Sequence, residues 1–97
     1  MTVKIMITRR VPDAKREKFL ALINSLRGEA IKQPGYMTGE ALRNEDNPEE
    51  YLVISTWNSV KEWDAWKSNK NRSAIQAQID ELLGEKTQYK VYQYLAG

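Results

Sequence analysis

Ser-Thr-Trp-Asn-Ser-Val-Lys-Glu-Trp-Asp-Ala-Trp-Lys-Ser-Asn, residues 55–69, carries all three tryptophans of the 97-residue chain. An indole offers a flat apolar face and one N–H donor, and each buried ring removes about 150–250 Å² from water. The rings are therefore either core or the wall of a pocket for a flat ligand. Trp63 and Trp66, three apart, share a helical face. Trp57 and Trp63 read as core, and Trp66 as the pocket candidate. Lys67, Lys70 and Arg72 follow; such a cluster could draw a carboxylate or phosphate, but in a polar turn it reads as a solvated loop. The sequence has no histidine and no cysteine, which removes imidazole bases, thiol nucleophiles and the commonest metal ligands together. No metal site is expected.

The length suits one domain over residues 1–97, with a thin core that burial against a second copy would supplement. Fifteen basic and 13 acidic residues, net charge +2, are interspersed, a pattern of solubility rather than a nucleic-acid footprint. No apolar run reaches a membrane span, and Met-Thr-Val-Lys-Ile-Met-Ile is too short for a signal peptide. A cytoplasmic protein with neither nucleic-acid nor membrane partners is expected.

Val3, Ile5 and Ile7 alternate with Lys4, Met6 and Thr8, the period of a strand. Pro12-Asp13 supplies a stop and an N-cap. Phe19, Leu22, Ile23, Leu26 and Ala30 then recur at helical spacing to about Lys32, with Lys15, Arg16 and Lys18 on a solvated face. Gln33-Pro34-Gly35 ends that helix. Strands are expected over Tyr36 to Arg43 and Tyr51 to Trp57, joined by the polar turn Asn44-Glu45-Asp46-Asn47-Pro48. Ser59 and Glu62 have capping-box spacing. The helical region they open breaks near Asn69 to Asn71 and resumes through Ile75, Ile79, Leu82 and Leu83. Gly84 ends it, and Thr87 to Leu95 makes the last strand.

This order, βαββαβ, is the ferredoxin-like arrangement, an α+β fold with a four-stranded antiparallel sheet and both helical regions on one face. Both sheet faces carry apolar side chains: Met6 opposes Val3, Ile5 and Ile7, and Leu52 and Ile54 oppose Tyr51, Val53 and Trp57. A wet face should alternate more cleanly. A second sheet from an identical subunit is therefore expected to cover it, giving a homodimer. Tyr89, Tyr92 and Tyr94 are expected at the dimer seam or a sheet edge, with Tyr92 and Tyr94 as alternative pocket walls.

The strand order, the junction Gln33-Pro34-Gly35-Tyr36, the strand end Val53-Ile54-Ser55-Thr56-Trp57-Asn58-Ser59 and the segment Glu62-Trp63-Asp64-Ala65-Trp66-Lys67-Ser68 resemble antibiotic biosynthesis monooxygenase (ABM) domains. The resemblance implies a dimeric α/β barrel with one pocket per subunit between the sheet and the second helical region. It spans cofactor-free oxygenases and haem-degrading enzymes. The haem branch has a helical tryptophan matching Trp66, but also an axial histidine where this chain has Gln76 and a strand-one asparagine where it has Ile7 and Thr8. Haem would then need an oxygen ligand, such as Tyr36 or Tyr51, or have none.

The cofactor-free branch fits better and requires no cofactor. In it Trp66 would stack on a small quinol- or phenol-like substrate, Asn69 or Asn71 would donate amide hydrogen bonds, and Arg72 would stabilise the anion. Tyr36, Met6, Ile54, Asn71 and Gln76 complete the expected substrate contacts, and Asp64, Glu40 or a tyrosine is the candidate base. The alternative is a non-catalytic dimer that binds a small hydrophobic molecule or serves a stress response. An RNA-binding domain of the same strand order is disfavoured, because Glu50 to Trp57 has no glycine and no basic residue.

Overall fold

The computed structural model describes all residues, 1–97. Its sheet has the order β2-β3-β1-β4, built from β1 (Val3–Arg10), β2 (Tyr36–Arg43), β3 (Glu50–Trp57) and β4 (Lys90–Gln93). All three pairings are antiparallel. The helices are α1 (Arg16–Ala30), α2 (Val60–Lys67) and α3 (Lys70–Leu83). The ferredoxin-like α+β fold expected from the sequence is the fold observed.

The period of two in β1 places Val3, Ile5 and Ile7 beneath the helices, where they are buried. Their β3 partners Trp57, Ser55 and Val53 are brought to the same face by the antiparallel register. Arg9 stands in the same phase and is buried too, at 3% exposure. Met6 and its partner Ile54 occupy the opposite phase.

Trp57 is the hub of the larger core cluster and is fully buried. Its ring meets Tyr36 edge-on at 5.4 Å, Trp63 edge-on at 6.1 Å and Trp66 nearly parallel at 6.1 Å. One ring thus ties β2 and α2 to β3, with edge and offset geometries that suit the aromatic quadrupole. A second cluster, Val11, Phe19, Tyr51 and Ile79, closes the other end between α1, α3 and the sheet.

Helix boundaries follow local hydrogen bonding. Asp13 is not the expected N-cap: Asp13–Lys15 form a 3-10 turn ahead of α1, no side chain caps either element, and the Lys15 amide donates to the Pro12 carbonyl at 2.9 Å. Ser59 does cap α2, its Oγ accepting from the Glu62 amide at 3.3 Å. The reciprocal half of the capping box differs, since the Glu62 carboxylate accepts from Ser59 Oγ at 3.1 Å rather than from a backbone donor. Asn69 separates α2 from α3 as the sequence implied, its Oδ1 accepting from the Asn71 and Arg72 amides.

The last strand is shorter than Thr87 to Leu95. Thr87 turns away from the sheet because its amide and hydroxyl are both taken by Asp80 on α3. Ladder pairing therefore starts only at Lys90.

Two glycines test this account in opposite directions. Gly35 has φ +86°, and a Cβ there would overlap the Glu62 carboxylate that its neighbourhood holds in the α2 cap. Gly35→Ala is expected to cost about 1–2 kcal/mol, the usual penalty of the left-handed region for an L-residue. Gly28 lies inside α1 with open space around a new Cβ. Gly28→Ala should gain about 0.5–1 kcal/mol. Urea denaturation followed by circular dichroism measures both.

Candidate active site

A cavity of about 120 Å³ lies between the helix-facing side of the sheet and all three helices. Ile7, Val53 and Trp57 come from the sheet, Ile23, Leu26 and Ala30 from α1, Trp63 and Trp66 from α2, and Arg72 and Gln76 from α3. Asn24 and Arg27 from α1 and Ala41 from β2, exposed residues of the lining, mark its mouth. Gly39 leaves the space beside Tyr36 open: a Cβ there would stand 2.5 Å from the Tyr36 hydroxyl. The lining is aromatic and aliphatic with a few polar groups, the usual make-up of a small-molecule site.

Of the residues expected from the sequence, the cavity brings together Trp66, Arg72, Tyr36 and Gln76; Ile54 and Glu40 border it from β3 and β2, but their register with Met6 turns both side chains to the other sheet face. Asn69, Asn71 and Met6 are not among its lining residues. Asn69 is the cap of α3, with its Oδ1 committed to two backbone amides. Asn71 is exposed, and Met6 points to the other sheet face with Ile54 as its cross-strand partner. Asp64 is exposed on α2 and outside the lining.

The expected division of the tryptophans needs correcting, because all three are buried and all three line the cavity. The near-parallel stack of Trp57 on Trp66 makes core and wall the same structure. The Trp57 N–H donates to Ser55 Oγ at 3.1 Å.

Arg72 is also not the solvated loop residue its neighbours suggested. It is 5% exposed, set on α3 one turn past the Asn69 cap that holds its own amide. Its guanidinium lies over the rings of Tyr89 at 5.1 Å and Trp63 at 5.8 Å. It donates to the Lys67 carbonyl at 3.2 Å and to the Tyr89 hydroxyl. Those bonds use two of the five N–H donors a guanidinium carries. No carboxylate pairs with it; the ion pairs of the chain are Arg10–Glu49 and Lys32–Glu29. Tyr89 backs this site from outside the cavity lining, packing on Trp63 at 5.5 Å. Tyr92 and Tyr94 are each 47% exposed, on and just past the edge strand β4.

Behind Arg72 sits a polar network that sequence reasoning missed. Arg9 Nη2 donates to Gln76 Oε1 at 3.4 Å and to Thr87 Oγ1 at 3.3 Å. Gln76 Nε2 donates to Asp80 Oδ1 at 2.9 Å, so both polar ends of Gln76 are engaged within the protein. Arg9 Nε and Nη1 are buried without partners. Burial pulls the Arg9 guanidinium down to about 10; Tyr89 and Asp80 oppose that shift and Arg72 adds to it. A cation depressed in the folded state costs stability wherever it is charged in both states, and the cost is relieved only as pH rises above about 10. Between pH 5 and 9 this group therefore contributes no pH dependence. The sequence carried one signal for Arg9, its place in phase with Val3, Ile5 and Ile7. Nothing in the spacing of Asp80 and Thr87 announced their bond.

No group of three or more histidine, cysteine, aspartate or glutamate side chains is placed to hold a metal ion. No helix is long and apolar enough to cross a membrane.

The profile of a family described as antibiotic biosynthesis monooxygenase matches residues 2–78. None of the curated proteins matches the sequence. Among solved structures, a conserved protein from Methanosarcina mazei Go1 is similar at 20% identity and a TM-score of 0.87, with 96% of this chain and 92% of that one covered. SnoaB from Streptomyces nogalater, a cofactor-independent oxygenase, is similar at 16% identity and a TM-score of 0.86, with 99% and 95% covered. Rv0793 from Mycobacterium tuberculosis is similar at 16% identity and a TM-score of 0.86, with 100% and 98% covered. At such identities the likeness establishes the fold.

Asp80 and Arg9 should separate sharply on mutation. Asp80→Ala strips the acceptor from the Thr87 amide, the Thr87 hydroxyl and Gln76 Nε2 at once, at an expected cost of about 2–4 kcal/mol. Arg9→Met replaces a partly unpartnered buried cation with an apolar chain of similar length, and should stay within about 1 kcal/mol of the parent or exceed it. Equilibrium urea unfolding at pH 7 gives both values.

Proposed function

The chain belongs to the antibiotic biosynthesis monooxygenase family, and on that premise we propose that it is a cofactor-independent monooxygenase of a small quinol- or phenol-like substrate. The observation that carries this reading is the cavity walled by Trp57, Trp63 and Trp66 with a buried arginine that no carboxylate neutralises. SnoaB, which shares the fold, supports the cofactor-free form of the chemistry.

In this reading the substrate itself supplies the electrons. Loss of a proton from a ring hydroxyl gives an anion with electron density on carbon, and that carbon forms a bond to dioxygen. The resulting hydroperoxide loses water to leave a new carbon–oxygen bond. For a hydroquinone the balance is one quinol plus one dioxygen to one hydroxyquinone plus one water. Oxidation of the quinol and hydroxylation of the ring together provide the four electrons. The protein's work is to bury the ring, stabilise the anion and keep bulk water out.

Trp66, backed by the buried Trp57 ring, holds the substrate ring by stacking, and Arg72, with N–H donors to spare in an apolar setting, favours the anion over its conjugate acid. The Tyr36 hydroxyl, kept clear by Gly39, is a further donor to a ring oxygen. Glu40, the one carboxylate residue of the lining, pairs with Ile54 and so turns its side chain to the opposite sheet face; the departing proton leaves through the mouth. Asp64 has no access to it.

The working unit in this proposal is a homodimer. The sheet face away from the helices presents Met6, Leu52 and Ile54 with Leu42 beside them, 46% exposed. A second copy related by a twofold axis would cover this self-complementary stripe and double the thin core.

Oxygen-electrode assays with hydroquinones and polyphenols should show consumption that is unchanged by chelators. Arg72→Met should lower kcat/KM by about 10²-fold, the scale of losing one charge-stabilising donor. Trp66→Phe should cost about tenfold, equivalent to the extra stacking of one aromatic pair. Consumption with none of these substrates would favour the non-catalytic binding module. Light scattering should give a particle of twice 11.3 kDa; a monomer at micromolar concentration would remove the dimer.

A further inference from the structure

We infer that the cavity is built for a single-ring aromatic carboxylate, on the grounds of its size and the buried Arg72 in its lining, which no carboxylate pairs. The inference rests on the reading of this cavity as the substrate site and narrows the substrate class within it.

Size comes first. Drug-sized ligands occupy pockets of roughly 300–1,000 Å³, whereas a dry cavity of about 150 Å³ takes one benzene ring. At about 120 Å³ this cavity matches a single ring whose substituents reach the mouth or the Arg72 end. A fused tricyclic ring system exceeds it, and the walls cannot retreat cheaply. Trp57, Trp63 and Trp66 are packed on one another and on Tyr36, and well-packed interiors resist added volume.

Charge comes second. Arg72 lines the cavity at 5% exposure, and Arg9, at 3%, lies behind it through Gln76. Buried charges in proteins are ordinarily paired, yet neither arginine is in an ion pair. Asp80, the carboxylate of the network, spends Oδ1 on Thr87 and Gln76 rather than on either guanidinium. Arg27 adds a second cation to the lining, at the mouth. A ligand that arrives already negative supplies the missing partner before any reaction, while a neutral quinol supplies it only after losing a proton. A planar carboxylate also matches the fork of a guanidinium better than a phenolate does. A dihydroxybenzoate combines this anchor with the electrons that the proposed oxygenation consumes.

The three cavity-lining indoles make binding directly measurable by fluorescence quenching under nitrogen, where no turnover intervenes. Benzoate should bind at least about tenfold tighter than benzamide, its neutral isostere, and anthracene-9-carboxylate should be excluded. Arg72→Met should abolish the preference and Arg72→Lys should keep part of it; circular dichroism reports whether each variant is folded. Equal affinity for benzoate and benzamide in the unmutated protein would overturn the charge argument, and tight binding of the tricyclic acid would overturn the size argument. Neither result bears on oxygen consumption: benzoate selectivity without turnover would sink the oxygenase reading alone, and quinol turnover without benzoate selectivity would sink this inference alone.

Discussion

Everything in this small protein is arranged around the Trp57 ring. It is fully buried at the end of β3, and the rings of Tyr36, Trp63 and Trp66 reach it from β2 and α2. Burying such a ring contributes about 4–6 kcal/mol of gross transfer free energy at roughly 25 cal/mol per Å². That is comparable with the entire net stability of about 5–15 kcal/mol expected for a domain. The same contact shapes the cavity, because α2 docked on Trp57 is what sets Trp66 against it.

The second constraint is electrostatic and works against the first. Arg9 and Arg72 are buried in a core too thin to ignore them, and they are held by hydrogen bonds, aromatic faces and one nearby carboxylate rather than by ion pairs. Uncompensated buried cations cost stability. In the proposed reading, a fold that keeps Arg72 against an aromatic cavity and Arg9 behind it is pre-organised for the negative charge that develops when a quinol or phenol is ionised. The chain segment after Gly84 is drawn into the same arrangement. Thr87 and Tyr89 are bonded to Asp80, Gln76, Arg9 and Arg72 before β4 can join the sheet.

Periodicity and turn chemistry revealed most of the fold. The alternation of Val3, Ile5 and Ile7, the helical stripe through Phe19 and Leu26, the Pro34-Gly35 junction and the Asn69 break each appear at their expected places. The misplaced boundaries, Asp13 and Thr87, are positions where a polar side chain or a nearby backbone group took a hydrogen bond that propensity does not encode. At the site, Trp66, Arg72, Tyr36 and Gln76 line the cavity, but it was the family resemblance that singled them out: Tyr36 lies on β2, and the spacing of Lys67, Lys70 and Arg72 by itself reads as a solvated loop. Asn69 was misread, since a capping asparagine and a ligand-binding asparagine look identical in sequence. Arg9 was in plain view, one step further along the alternation that identified the core. The α1 wall could not be read, because the helical period shows which face is apolar but not where that face crosses the sheet.

The central claim is that this protein, with no histidine, cysteine or added cofactor, inserts one atom of dioxygen into an aromatic ring bound beside Trp66 and Arg72. Turnover of a hydroquinone under isotopically heavy dioxygen, in the presence of a chelator and with the product analysed by mass spectrometry, tests it directly. The account predicts one heavy oxygen atom in the hydroxyquinone and the other in water. An unlabelled quinone, with hydrogen peroxide as the reduced product, would contradict it.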